Sequence, residues 1–110
     1  MYEYRAYIRR VYDGDTVRAD LDLGFGIILN NQSIRLLGIN APEIRGQERE
    51  LGLKSRDALR EKIANKWVII KAHRDKKGKY GRWLGEIFLN NDINSINNWL
   101  LSEGFAEPYK

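Results

Sequence analysis

The 110-residue chain is long enough for one domain and one core, and its 43% hydrophobic and 11% aromatic content excludes a disordered polymer. With no cysteine there is neither a disulfide framework nor a thiolate metal site, and a single histidine excludes acid–base chemistry by a histidine pair, as in pancreatic-type ribonucleases. The net charge of +4 favours partners rich in phosphate without identifying one.

No apolar run approaches the ~20 residues that span a bilayer, so no membrane partner is expected. Met1-Tyr2-Glu3-Tyr4-Arg5 lacks the basic start and apolar stretch of a secretory signal, which places the chain inside the cell unless a leader precedes it. No repeat or Pro/Ser-rich linker divides the sequence, and residues 1–110 read as one domain.

Residues 4–12 alternate, carry Tyr7, Ile8, Val11 and Tyr12, and predict a first strand. Asp13-Gly14-Asp15 supplies turn chemistry, and Thr16 to Leu23 predicts a second strand. Along it Val17, Ala19, Leu21 and Leu23 share one face, with Arg18, Asp20 and Asp22 on the other. Ile27, Ile28 and Leu29 predict a third strand. After the turn-like Asn30-Asn31-Gln32, Ile34 to Ile39 reads as a fourth, or as the third continued beyond a bulge.

From Gln47 to Asn65 the spacing becomes helical, with Leu51, Ala58, Leu59 and Ile63 on the expected buried face. Trp67 to Ala72 and Trp83 to Leu89 predict two strands paired as a hairpin across a basic loop. Asp92 then suits the N-cap of a second helix that buries Ile93, Ile96, Trp99 and Leu100, with Gly104 as its stop. Five antiparallel strands with a helix between the third and fourth form the pattern of an OB-type barrel, here an α+β barrel with two or more packed helices. That barrel often binds oligonucleotides, but function must be argued from the site.

Four segments carry chemistry. Two aspartates in Asp13-Gly14-Asp15-Thr16 offer carboxylates to a hard cation, although an Asp-Gly turn needs no metal to explain it. Arg35 lies inside the apolar run Ile34-Arg35-Leu36-Leu37, where its guanidinium needs an anion: a phosphate, or Glu43 or Asp15 at a barrel mouth. In Gly38-Ile39-Asn40-Ala41-Pro42-Glu43, Asn40 offers an amide oxygen and Glu43 a carboxylate able to take a proton from an attacking water. The plainer reading of Glu43 is an acid near a helix start. Lys71 to Arg82 holds Lys71, Arg74, Lys76, Lys77, Lys79 and Arg82 against only Asp75, with Tyr80 interleaved. Such a run suits a phosphate backbone and a stacked base, and equally a solvated loop. Arg82 opens the apolar run Trp83-Leu84-Gly85 and is expected to be the best fixed of these cations. His73 has no partner constellation and reads as a surface position.

Three of these segments, Val11-Tyr12-Asp13-Gly14-Asp15-Thr16-Val17, Ile34 to Glu43, and Lys79-Tyr80-Gly81-Arg82, together resemble the staphylococcal (micrococcal) nuclease family, or thermonuclease-like domains. Their order and separation fit, and the resemblance spans about residues 5 to 106. It implies an OB-fold barrel with packed helices and Ca²⁺-dependent endonuclease cleavage of DNA and RNA, leaving 3′-phosphate and 5′-hydroxyl ends. It implies one Ca²⁺, rather than Mg²⁺ or another divalent ion, held by Asp15, Asn40 and the Ala41 carbonyl. Glu43 becomes the general base, and Arg35 and Arg82 bind the scissile phosphate. Lys77, Lys79, Tyr80 and Tyr109 are assigned to the nucleic-acid strand, with single strands preferred, little sequence specificity, and the protein acting as a monomer.

The chain departs from the family pattern twice. Well-known members carry aspartate at the position of Asn40; an amide keeps the oxygen but removes a charge, so weaker Ca²⁺ binding is expected. Longer members continue into a further helix beyond the positions matching Phe105 to Lys110. The competing reading is a non-catalytic OB-type module that binds nucleic acid or protein. Against it stands Glu43, which would repel phosphate in a passive binder.

Overall fold

A computed structural model of the chain describes residues 2–74, 83–90 and 92–109. The strands are β1 (Tyr2–Asp13), β2 (Thr16–Asp22), β3 (Ile28–Leu36), β4 (Ile39–Asn40), β5 (Trp67–Arg74), β6 (Trp83–Phe88) and β7 (Glu107–Pro108). The helices are α1 (Arg49–Ile63), entered through a 3₁₀ turn at Gly46–Glu48, and α2 (Ile96–Ser102). Five strands close into a barrel in the order β1-β2-β3-β6-β5, and β4 pairs with β7 outside it. This is the expected five-stranded barrel with helices, with one difference. The β3–β6 pair is parallel, because the chain crosses through α1 and β5 before β6 returns beside β3.

Ile34 to Ile39 does not form a separate barrel strand. The third strand runs unbroken from Ile28 to Leu36, and the Asn-rich segment is a bulge within it. Ala19 pairs with Gln32 but Leu21 with Leu29, so β3 carries one extra residue, and Asn31 takes a φ of 55°. Asp20 closes that bulge. Its Oδ1 accepts from the Asn31 amide at 2.8 Å and its Oδ2 from Arg9 Nε at 2.6 Å. Asp20 is therefore buried rather than on an outer polar face. Arg9, then the Asn31 amide, holds its carboxyl below the usual carboxylate range. Leu23, expected inside, lies beyond the end of β2 and is exposed. In β1 a register shift after Ile8 moves the inward face to Val11, leaving Tyr12 outside.

The core joins Ala6, Ile8, Val17, Ile34, Leu36, Ile70 and Ile87 of the barrel to Leu59 and Ile63 of α1 and Ile96 and Leu100 of α2. On α1 the buried face is Gly52, Ser55, Leu59 and Ile63, and Leu51 is exposed. The helix turns two small residues toward the loop after β4, which carries Leu51 outward. On α2 the cap is Ser95, whose Oγ accepts from the Asn98 amide at 3.0 Å. Asp92 sits in a preceding turn, its amide bonded to the Leu89 carbonyl, and Ile93 is 95% exposed. Gly104 ends α2 as expected, with a φ of 77° that suits glycine.

Candidate functional site

The tight β1–β2 connection sets the site's geometry. Asp13 Oδ1 accepts from the Asp15 amide at 3.0 Å, an Asx-type turn that points the Asp15 side chain inward. Gly14 permits this by size. A Cβ there would lie 2.7 Å from Ala41 Cβ and 2.8 Å from Ser55 Cβ, so the turn, the post-β4 loop and α1 meet at one point. β3 joins through the Leu36 amide, which donates to the Asp15 carbonyl at 2.8 Å.

Asp15 is buried and fully engaged. Its Oδ2 accepts from the Ala41 amide at 2.9 Å, its Oδ1 from Thr16 Oγ1 at 3.0 Å, and Arg35 Nη1 lies 3.3 Å from Oδ1. Arg35 Nη2 donates to the Ile39 carbonyl and to Asn40 Oδ1, each at 3.3 Å. The Arg35 guanidinium carbon also lies 5.1 Å from the Tyr109 ring centroid. Pairing of β4 with β7 holds this last contact, since Asn40 registers with Glu107 and the Tyr109 amide donates to the Gly38 carbonyl at 2.9 Å. Burial first, then the hydrogen bond and charge of Asp15, push the Asp13 carboxyl up to about 6.

Of the sequence candidates, Asp15, Arg35, Asn40, Ala41 and Tyr109 come together here. Glu43 is exposed on the same loop. Its place is set through the backbone: a Cβ on Gly52 would lie 2.0 Å from the Glu43 carbonyl oxygen, so only glycine lets α1 support that peptide. Lys77, Lys79, Tyr80 and Arg82 lie outside the described residues. His73, expected to stand alone, has its Nε2 3.3 Å from Glu86 Oε1 on the neighbouring strand.

The sequence reading missed the framework residues Gly52, Ser55 and Asn97. Buried Asn97 donates through Nδ2 to the carbonyls of Leu37 at 2.9 Å and Gly85 at 3.0 Å, and accepts from the Ile87 amide at 3.1 Å. It ties α2 to β6 and to the segment after β3. A polar residue four positions after Ile93 on a face read as apolar was the available signal. Ser55 Oγ donates to the Phe105 carbonyl at 2.6 Å and joins α1 to the C-terminal segment.

The donors near Arg35 are all oxygens, a chemistry that fits Ca²⁺ or Mg²⁺ and not a metal that needs nitrogen or sulfur. Asp13 and Asp15 stand close enough that the charge of one raises the other, an arrangement a cation relieves. Among the described residues no three His, Cys, Asp or Glu side chains converge, so amide or backbone oxygens must complete any ligand set. Asp15 Oδ1 and Asn40 Oδ1, oxygens that would be offered to a cation there, both lie against the Arg35 guanidinium, at 3.3 Å each.

A family model described as staphylococcal nuclease homologue matches residues 33–110, a span that includes Arg35 to Glu43 and the β5–β6 connection. The chain is 33% identical, over 129 aligned positions and 96% of its length, to an uncharacterized protein of Methanocaldococcus jannaschii, covering 59% of that protein. It is 28% identical to the endonuclease YhcR of Bacillus subtilis, with 97% of the chain aligned to 9% of that protein. It is also 28% identical to the thermonuclease of Staphylococcus intermedius, with 90% of the chain aligned to 56% of that protein. The chain thus spans less than two thirds of each of these relatives. With well over half of its residues matched, the chain belongs to the staphylococcal nuclease homologue family.

Proposed function

We propose that this chain is a Ca²⁺-dependent nuclease that hydrolyses phosphodiester bonds of DNA and RNA with little sequence specificity. The observation that carries the reading is the Asp15–Arg35–Asn40 cluster, in which a buried carboxylate, an amide oxygen and a guanidinium meet on one end of the barrel. The nuclease names of the Bacillus and Staphylococcus relatives support it. Asp15, Asn40 and the Ala41 carbonyl are the groups to hold the ion. When bound, Ca²⁺ supplies positive charge to a phosphate oxygen.

Glu43 takes a proton from the water whose oxygen attacks phosphorus. The bond to the 5′-oxygen breaks, that oxygen takes a proton from solvent water, and a 3′-phosphate and a 5′-hydroxyl remain. Arg35 and Arg82 bind the phosphate oxygens and stabilise their charge in the transition state. Lys77, Lys79, Tyr80 and Tyr109 line the path of a single strand, and the monomer suffices for all of these roles.

Single-stranded DNA incubated at pH 8–9 with millimolar Ca²⁺, Mg²⁺ or EDTA tests the reading. Cleavage is expected with Ca²⁺ only, and Arg82→Ala is expected to slow it by about 10²-fold or more. Glu43→Gln is expected to slow cleavage while leaving nucleotide binding intact. Absence of cleavage with every metal, beside retained binding, identifies a binding module instead. Asn40 contributes one charge fewer than an aspartate, so Ca²⁺ binding without nucleotide is expected to be weaker than submicromolar and to tighten in Asn40→Asp. Calorimetric titration checks both.

A further inference from the structure

One outer face of the barrel carries more positive charge than the fold uses. On β2 Val17 and Ala19 are buried, which turns Thr16 and Arg18 outward. On β3 Ile34 and Leu36 are buried, which turns Ser33 and Arg35 to the same outer face. The register fixes their order, with Arg18 opposite Ser33 and Thr16 opposite Arg35. β1 completes the face through its two register shifts. Ile8 pairs with Ala19 and Arg10 with Arg18, so Arg9 is an extra residue and stands with Arg10 against Arg18. Val11 pairs with Val17 and Asp13 with Thr16, so Tyr12 is extra as well, and its ring is exposed beside Thr16.

Three arginines therefore meet where β1 bulges against β2. The carboxylate two residues along β2, Asp20, is already engaged by Arg9 Nε at 2.6 Å and the Asn31 amide at 2.8 Å. Arg18 Nη1 donates to the Asn31 carbonyl at 3.0 Å, which fixes the guanidinium without neutralising it. Arg10 and Arg18 are exposed, and among the described residues neither has an ion pair. Like charges directly opposed across an antiparallel pair destabilise it, so folding gives no reason for Arg10 to face Arg18. An anion bound between them does.

The row leads into the site. Arg18 and Arg35 are diagonal neighbours, ~7–8 Å apart, and Arg10 lies one strand further, ~5 Å from Arg18. At these spacings three long side chains can each reach a successive phosphate of one strand. Exposed Tyr12 adds a ring to the same face, the pairing of cations with an aromatic surface that single strands use.

We propose that the outer face of β1, β2 and β3 is a phosphate track, on which Arg18 and Arg10 bind the phosphates of a single strand next to the one held by Arg35. The proposal rests on the nucleic-acid reading of the site and extends the substrate footprint beyond the scissile bond.

The test is fluorescence anisotropy of the whole chain in EDTA with a labelled thymidine oligonucleotide, over a series of salt concentrations. Arg10→Gln/Arg18→Gln is expected to weaken binding about 5- to 30-fold at ~0.1 M salt. It is also expected to flatten the slope of log K against log salt by about 1.4, the value for two phosphate contacts on a single strand. Arg5→Gln/Lys62→Gln removes equal charge from side chains stacked on Trp67 and Trp99, and is expected to leave the slope unchanged. An unchanged slope in the first variant overturns the proposal, as does equal flattening in both, which reports net charge alone. The first variant is expected to unfold in urea at the same or a higher midpoint, because two opposed charges are gone. A lower midpoint gives the arginines a structural role and overturns the proposal. Weaker binding to phosphatidylserine vesicles, with binding to the oligonucleotide intact, assigns the face to a lipid surface and overturns it too. Cleavage with Ca²⁺ is scored separately. Cleavage with no change of slope removes the track and keeps the nuclease, and a flattened slope without cleavage does the reverse.

Discussion

The two ends of the barrel solve opposite problems. Around Asp15, the polar atoms are held by one another or by backbone: the carboxylate by Ala41, Thr16 and Arg35, and the guanidinium by Ile39 and Asn40. At the Leu23–Leu29 connection, apolar side chains face solvent, and Phe25 is 99% exposed. The first end is fixed before any ligand arrives, as a site that must place charge within a fraction of an ångström requires. The second carries apolar surface that the fold itself does not use. Rigidity and exposure have been separated along one barrel axis.

Loosening the fixed end tests that contrast most strongly. Asn97→Ala removes the side-chain partner of the Leu37 and Gly85 carbonyls and of the Ile87 amide, all next to the site framework. An unsatisfied buried group costs about 1–3 kcal/mol, so a loss of about 2–4 kcal/mol is expected in urea unfolding, as a lower midpoint at unchanged slope. A loss under about 1 kcal/mol would show that water replaces Asn97 and that the framework is less dry than its burial indicates.

Asn97 also marks where sequence reading stops. The Asp-Gly-Asp turn, the Arg35 strand and the Asn40–Glu43 loop were legible because their chemistry lies in short, contiguous stretches. The helices and barrel strands followed from periodicity and turn residues. What was hidden depends on contacts distant in the chain. Nothing local tells that Asp20 closes a bulge eleven residues away at Asn31. Gly52 and Ser55 read as gaps in an apolar stripe, yet their smallness brings α1 onto the site loop. Asp92 and Ser95 are equally good caps locally. Burial of Ile96 and Leu100, a tertiary matter, selects Ser95.

A smaller effect at the same end is pH-dependent. The Asp13 carboxyl is pushed up to about 6 by burial and by Asp15, so the folded state holds its proton more tightly than the unfolded chain does. Its contribution to stability is therefore complete below the ordinary carboxylate range and is lost as pH rises through about 6. Asp13→Asn keeps an oxygen to accept the Asp15 amide but cannot ionise. In EDTA, its stability relative to the unsubstituted chain is expected to rise between pH 4 and 7 and to level off above. A difference that stays constant over that range would mean that Asp13 ionises freely and that the two carboxylates do not sense each other.

The smallest effect belongs to the open end. Phe25 lies between Gly24 and Gly26 with all three residues at positive φ, 56° for Phe25 itself, a conformation that costs an ordinary side chain about 1–2 kcal/mol. Nothing in the fold returns that cost to a ring almost wholly in water. Phe25→Asn replaces it with a residue that tolerates the left-handed region, and the loss of the ring removes no buried contact. Stability is expected to stay the same or rise by up to about 0.5 kcal/mol in urea unfolding, because substitutions at such surface positions seldom exceed that size. A loss above about 1 kcal/mol would mean that Phe25 is packed in solution. The open end would then be closed by the chain itself, and the contrast between the two ends would fall.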